Sequence, residues 1–274
     1  MKPYLSVIIP AYNEAKRLPL TLIDINKHLK DADYSYEIIV VDDGSKDATK
    51  EVVRRFSHLI KNLRLIDNKE NHGKGWVVRQ GMLEAKGDIR LFMDADNSTS
   101  VDQFNKMIPY FVEAEQRGLR PPKRISSAEG GKVRGTTRKR EGYDIVIGSR
   151  DIEGAKMVPP QPWYKRLAGD LGNLIIQALL LPGIWDTQCG FKAFTEEAAR
   201  KIFPLMKINR WAFDVEVLSL AKKLAYKIKE IPVTWINNPF SLVKPMAYFQ
   251  FFWEVLKIKW WIINNDYKIE KLKD

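Results

Sequence analysis

Apolar residues in this chain gather into short runs, separated by longer stretches in which they recur every three or four positions. The runs at 5–9, 37–41, 63–67, 89–93, 143–148 and 228–233 have strand length and are rich in Val, Ile and Leu. Pro10 closes the first of them. The intervening stretches predict helices up to about 29 and over 49–60, 76–85, 102–115, 163–181, 196–202 and 213–225. Ser45 or Asp47 is placed to cap the second helix. A loop at 186–190 leads into one more strand through Phe194. Strands alternating with helices predict an α/β fold, a mostly parallel sheet with helices on both faces. Ligands of such sheets bind beyond the carboxyl ends of the strands.

The segment 239–274 breaks the alternation and is dense in aromatics and Lys, which suggests a unit over 1–238 followed by a tail. Over 246–263, Gln250, Glu254 and Lys257 fall on one helical stripe, with Phe249, Phe252, Trp253, Leu256, Trp260 and Ile263 over the remaining surface. A narrow polar stripe with aromatics and flanking Lys predicts an amphipathic helix lying in a membrane surface. Packing on the domain or on a second copy is the alternative. Residues 174–181 are also apolar and read as an ordinary core helix, with a second membrane-facing patch as the alternative. No stretch reaches the ~18 consecutive apolar residues of a spanning helix.

Composition narrows the chemistry. A single cysteine, Cys189, excludes a disulfide framework and fits a reducing compartment. Three histidines, scattered, argue against a His-based zinc site. The apolar run before Pro10 is too short for a signal peptide. The net charge of +11 points to an anionic partner: nucleic acid, an anionic membrane or a phosphorylated substrate. Much of the excess lies in 117–141, a segment rich in Gly, Ser, Thr and Pro that reads as a mobile insertion.

Two carboxylates, Asp94 and Asp96, follow the run at 89–93 with only Ala95 between them. On an extended chain they point the same way and repel unless a cation joins them. A hard divalent cation bridging such a pair to a substrate diphosphate is one reading; a polar turn is the other. Asp42-Asp43-Gly44-Ser45 ends the second strand, where a carboxylate can accept from a base N–H or a ribose hydroxyl. Lys74, between Gly73 and Gly75 before a helix, is placed for a phosphate or base.

In order along the chain, Pro10-Ala11-Tyr12-Asn13-Glu14, Asp42-Asp43-Gly44-Ser45, Asn71-x-Gly73-Lys74-Gly75, Asp94-Ala95-Asp96 and Gly148-Ser149-Arg150 resemble the family 2 glycosyltransferases of the GT-A, Rossmann-like fold. Asp186-Thr187-Gln188-Cys189-Gly190-Phe191-Lys192 and Arg210-Trp211-x-Phe213-Asp214-Val215-Glu216 make the resemblance strongest to the dolichyl-phosphate β-glucosyltransferases, with the dolichyl-phosphate mannosyltransferases next. It covers residues 5 to about 259, apart from the basic segment.

The resemblance implies a nucleotide site of Pro10, Ala11, Tyr12, Glu14, Asp42, Asp43, Lys74, Asp94 and Ala95. It implies Mg²⁺ or Mn²⁺ on Asp94 and Asp96, and Asp96, Arg150 and Asp214 as the catalytic set. Ser98 stands where mannose-using relatives often carry a third, Gln ligand. Arg150, Lys165 and Arg166 are implied to face an acceptor phosphate. Asp186, Gln188, Gly190, Lys192, Trp211 and Glu216 are implied in the acceptor and sugar loop. Lys244 stands near the place of a Gly-Ser-Lys in the relatives.

The implied reaction is inverting transfer of glucose from UDP-glucose to dolichyl or polyprenyl phosphate at the cytoplasmic face of a membrane. Physical chemistry agrees with a phosphate acceptor. With its second pKa near ~6 it is largely a dianion at neutral pH and attacks without a general base. GDP-mannose as donor, and a soluble phosphorylated acceptor, remain open alternatives. A nucleic-acid-binding module is disfavoured, because the basic segment lacks interleaved aromatics for base stacking.

Overall fold

The computed structural model describes residues 2–111, 142–161, 163–237 and 246–269; the basic segment 117–141 and Lys244 lie outside them. Seven strands form one sheet: β1 (Leu5–Ala11), β2 (Tyr36–Asp42), β3 (Leu63–Asp67), β4 (Ile89–Met93), β5 (Ile145–Ser149), β7 (Phe191–Thr195) and β8 (Ile228–Pro232). Their spatial order is β3-β2-β1-β4-β7-β5-β8. Pairing is parallel except for β7, which runs antiparallel between β4 and β5. A separate pair, β6 (Lys156–Val158) with β9 (Thr234–Ile236), is too short to show in the apolar pattern.

Both faces of the sheet are covered, which is why its central strands are apolar without alternation. Val7, Ile9, Val40, Leu91 and Met93 face one core, with Leu18, Leu22 and Ile25 of α1 (Leu18–Leu29), Val53 of α2 (Thr49–Ser57) and Phe104 of α4 (Phe104–Met107). Ile8, Ile39, Val41 and Phe92 face the other. There they meet α3 (Lys74–Glu84), Ile176 of α5 (Trp163–Leu179), α6 (Glu196–Ile202), α7 (Phe213–Lys223) and Val255 and Ile258 of α8 (Met246–Ile263).

Several expectations need correction. Pro10 does not end β1. The strand runs on to Ala11, but its pairing to β4 stops at Ile8↔Phe92, so the missing N–H falls where one neighbour is already gone. Neither Ser45 nor Asp47 is the N-cap of α2, which is Ala48. The Asp47 carboxylate accepts from Thr49 N at 3.0 Å, and Ser45 Oγ accepts from Asn13 N at 2.9 Å. Of the helix expected at 102–115, the described part up to Phe111 breaks into one α turn flanked by 3₁₀ turns, with Phe111 extended; 112–115 lie outside the described residues.

The two apolar helices also differ from expectation. On α5, Leu171 and Leu174 are 58% and 62% exposed while Ile176, and Leu181 just beyond the helix, are buried, so only one side of the apolar stretch is core. On α8, Glu254 is not on an outer polar stripe. It is buried, and its Oε2 accepts from Ala212 N at 3.0 Å. Val255 and Ile258 are buried beside it, while Phe249, Phe252, Trp253, Leu256, Trp260 and Ile263 form an exposed row. Beyond α8, Tyr267 and Ile269 join the same core as the sheet face.

Candidate active site

The polar loops gather at the carboxyl ends of β1, β2 and β4. After β2 the chain turns at Gly44 (φ +72°), where a Cβ would lie 2.6 Å from the Glu70 carbonyl carbon. That closeness lets Asp43 hold the 71–73 turn, accepting from Asn71 Nδ2 at 2.9 Å, His72 N at 2.7 Å and Gly73 N at 2.9 Å. Burial raises the Asp43 pKa, and the N–H groups of His72 and Gly73 pull against that rise. Asp42 is fully buried. One of its oxygens accepts from Ser45 N at 2.9 Å; the other, Oδ1, has no partner. An acceptor left so is costly and suits a ligand N–H or hydroxyl.

Gly73 and Gly75 bracket Lys74 for a steric reason. A Cβ on Gly73 would collide with the Asn209 carbonyl oxygen, and one on Gly75 would come within 2.7 Å of Ile208 O and Phe213 Cβ. The 73–75 turn is thus pressed against the segment leading into α7. Lys74 Nζ donates to Asp94 Oδ1 at 2.6 Å and lies 5.9 Å from the centre of the Phe213 ring. Burial works against its ammonium, but the carboxylates of Asp94, Asp214 and Asp96 outweigh it and hold the pKa above that of an ordinary lysine.

The loop carrying the paired acids is pinned from three sides. Thr21 Oγ1 donates to Ala95 O at 2.6 Å, Asp94 N donates to Gly190 O at 3.2 Å, and Ser98 N donates to Asp96 Oδ1 at 3.0 Å. Gly190 is required here, because a Cβ would occupy the space of the Asp94 carboxylate. Arg17, which the motifs did not single out, belongs to the site. It is ion-paired to Glu14, and its Nη1 lies 3.6 Å from Asp96 Oδ2. Its spacing of three from Glu14 at a helix start was the available signal. Among the described residues no cluster of three or more His, Cys, Asp or Glu forms a metal site. The donor set, two hard carboxylates at a cleft rim, fits Mg²⁺ or Mn²⁺ that takes its remaining oxygens from water and a diphosphate. Tyr12 at the rim is 40% exposed.

Behind the rim, Lys192 on β7 is fully buried and donates to Asp214 Oδ1 and Cys189 O, both at 2.6 Å. Asp214 opens α7. Burial raises its pKa, while Lys192 and Lys74 oppose the rise.

Two implied roles, those of Asp186 and Glu216, need correction. Asp186 is fully buried and clamps Arg150. Its oxygens accept from Arg150 Nε at 2.7 Å, Nη2 at 2.9 Å and N at 2.9 Å, and from Gln188 N and Cys189 N. Burial pushes the Asp186 pKa up, but Arg150 pulls it below the ordinary carboxylate value. Arg150 is held by this pair, with its guanidinium 5.4 Å from the centre of the Trp235 ring. Glu216 is fully buried, accepting from Lys207 N at 2.8 Å, Ile208 N at 2.9 Å and Tyr267 OH at 2.7 Å; it holds the 207–213 segment and reaches no acceptor. Gln188, Arg166 and Trp211 are exposed, and the Lys165 side chain is outside the described set. Trp185, 56% exposed beside Asp186, went unnoticed in the sequence because nothing local marks it.

A Rossmann-like sheet with paired acids at its rim defines the GT-A class of nucleotide-sugar transferases. The profile described as glycosyl transferase family 2 matches residues 6–127. The chain is 38% identical to a dolichyl-phosphate β-glucosyltransferase of Dictyostelium discoideum over 252 residues, 89% of this chain and 70% of that one. It is 31% identical to the enzyme of that name from Homo sapiens, covering 98% and 79%. The chain belongs to the dolichyl-phosphate β-glucosyltransferases of glycosyltransferase family 2. Its fold matches glucosyl-3-phosphoglycerate synthase of Mycobacterium tuberculosis, solved with UDP (TM-score 0.60, 16% identity, covering 94% and 79%). It also matches a Pyrobaculum calidifontis mannosyltransferase solved with GDP-mannose and Mn²⁺ (TM-score 0.53, 20% identity, covering 90% and 60%).

Proposed function

We propose that this protein transfers glucose from UDP-glucose to dolichyl or a related polyprenyl phosphate, with inversion, at the cytoplasmic face of a membrane. The observation that carries the reading is the convergence of Asp94 and Asp96 with Lys74 and the unpartnered Asp42 Oδ1 on one rim, in a chain whose relatives bear that enzyme name. Asp42 and Asp43 border the base and ribose. Asp94 and Asp96 would hold Mg²⁺ or Mn²⁺, which offsets charge on the departing diphosphate. Lys74 adds a cation on the same side.

The acceptor phosphate supplies its own nucleophilic oxygen, so no side chain has to remove a proton. Asp214, paired to Lys192, shapes the field around Lys74 and need not act as a base. Trp211 and Gln188, exposed at the rim, are the contacts open to sugar or acceptor.

The exposed row on α8 supports seating in a membrane surface. Its positions, 249, 252, 253, 256, 260 and 263, follow helical spacing along one side. No described helix is long and apolar enough to cross a membrane. The net charge of +11 favours an anionic leaflet, and the lone cysteine a reducing compartment.

The test is a donor panel of UDP-glucose, UDP-N-acetylglucosamine and GDP-mannose, with a short polyprenyl phosphate or 3-phosphoglycerate and Mg²⁺ or Mn²⁺, the product identified by mass. Glucosyl polyprenyl phosphate alone is the expected product. Mannosyl transfer, or transfer only to the soluble phosphate, refutes the assignment.

A further inference from the structure

Both acids of the pair already have a cation, and the two cations are held differently. Arg17 is fixed by Glu14, its Nε donating to Glu14 Oε2 at 2.7 Å, and stands off Asp96 at 3.6 Å. Lys74 makes one direct bond, to Asp94 Oδ1 at 2.6 Å, from a flexible four-carbon stem, with its Nζ 5.9 Å from the centre of the Phe213 ring. It is also the first residue of an eleven-residue helix, whose free N–H groups favour an anion nearby. Asp94 itself has little freedom. Its Oδ2 lies against Gly190, where a Cβ would overlap it, and its N–H is tied to Gly190 O. A metal ion that takes Asp94 therefore has to displace the ammonium from Oδ1.

We propose that Lys74 is the counter-ion that the acid pair keeps before loading, and that it exchanges the Asp94 carboxylate for the nucleotide's diphosphate when a divalent cation takes that carboxylate. The inference rests on the proposed donor site and adds an order to it. Lys74 opposes a metal ion arriving alone, because two cations compete for one oxygen. It favours a diphosphate arriving alone, because the ammonium can turn to it. When both are present the competition ends, since each cation has its own anion.

The experiment compares wild type, Lys74→Met and Lys74→Arg, measuring Mn²⁺ binding by the paramagnetic signal of the free ion and UDP binding by calorimetry, each ligand alone and then both. Lys74→Met should bind Mn²⁺ alone at least ~10-fold more tightly and UDP alone at least ~10-fold more weakly, while Lys74→Arg keeps the wild-type pattern. Opposite signs are the signature, because a variant damaged in its fold weakens both. Changes of one sign, or none, in a protein whose wild type binds both ligands overturn the exchange alone. A wild type that binds neither UDP nor Mn²⁺, singly or together, overturns the donor site and the exchange with it.

Discussion

Replacing Asp186 by Asn separates a structural Arg150 from one that serves the acceptor. The carboxylate is wholly buried and its partner guanidinium about one-fifth exposed, so solvent screens the pair weakly. Both oxygens are in use, toward Arg150 Nε, Nη2 and N and toward the N–H groups of Gln188 and Cys189. An amide offers one accepting oxygen and turns an NH₂ toward donors. Breaking a buried ion pair from one side costs about 3–5 kcal/mol, most of it the charge left behind. At ~2–4 °C per kcal/mol for a chain near this size, the melting temperature should fall by roughly 6–20 °C.

The double variant Asp186→Asn with Arg150→Met should recover part of that loss, because it removes the stranded guanidinium. The acid limb adds a second check. The folded pKa of Asp186 lies below its unfolded value of 3.8. The pair's contribution is therefore complete above pH 3.8 and lost as pH falls through the folded pKa. The Asn variant should lack that part of the acid transition. The assay is calorimetric melting across pH, with kcat/KM measured beside it. If Asp186→Asn and Arg150→Met each melt within ~1 kcal/mol of wild type while transfer collapses, the clamp reading is wrong and Arg150 works on substrate.

Three further outcomes follow from the geometry. Asp96→Ala should abolish transfer and metal-dependent nucleotide binding with the melting temperature nearly unchanged, since the side chain is partly exposed and has few partners; normal turnover would remove Asp96 from the site. Replacing Trp253 and Trp260 together by Ser should reduce sedimentation with anionic vesicles at least ~10-fold without lowering the melting temperature, because both rings are more than half exposed and each buries ~1.5–3 kcal/mol of apolar surface in an interface; unchanged sedimentation would argue against the membrane seat. Glu254→Ala should cost ~1–3 kcal/mol by stranding the Ala212 N–H, and Glu254→Gln, which still accepts, should restore most of it; equal melting of the two would deny that bond any weight.

The legible part of the fold was local. Strands such as Tyr36–Asp42 and Ile89–Met93 follow from short runs dominated by apolar residues, the second interrupted only by Arg90, and the acids at 94 and 96 fall where the strand end puts them. What escaped depends on partners distant in sequence. Lys192 is implied in the acceptor and sugar loop, and its full burial shows only when Asp214, 22 residues on, is brought beside it. Glu216 reads as a site acid until Tyr267, 51 residues away, and the turn at 207–208 close over it. Pairing of β7 in the antiparallel sense is equally unmarked, because its residues would be buried in either direction. The tail's two apolar sides looked alike, and only the packed fold shows which one the domain keeps.

That tail is stitched into the reacting end of the molecule. Glu254 holds Ala212, Tyr267 holds Glu216, and the Asp266 carbonyl receives Lys207 at 3.0 Å, so the stretch bearing Asp214 is gripped at both ends. Clipping the chain ahead of Met246 would undo all three stitches together and bare Val255's and Ile258's side of the core. Proteolytic shedding, the usual way to free a peripheral enzyme from its surface, should here leave a silent fragment instead of a working soluble form.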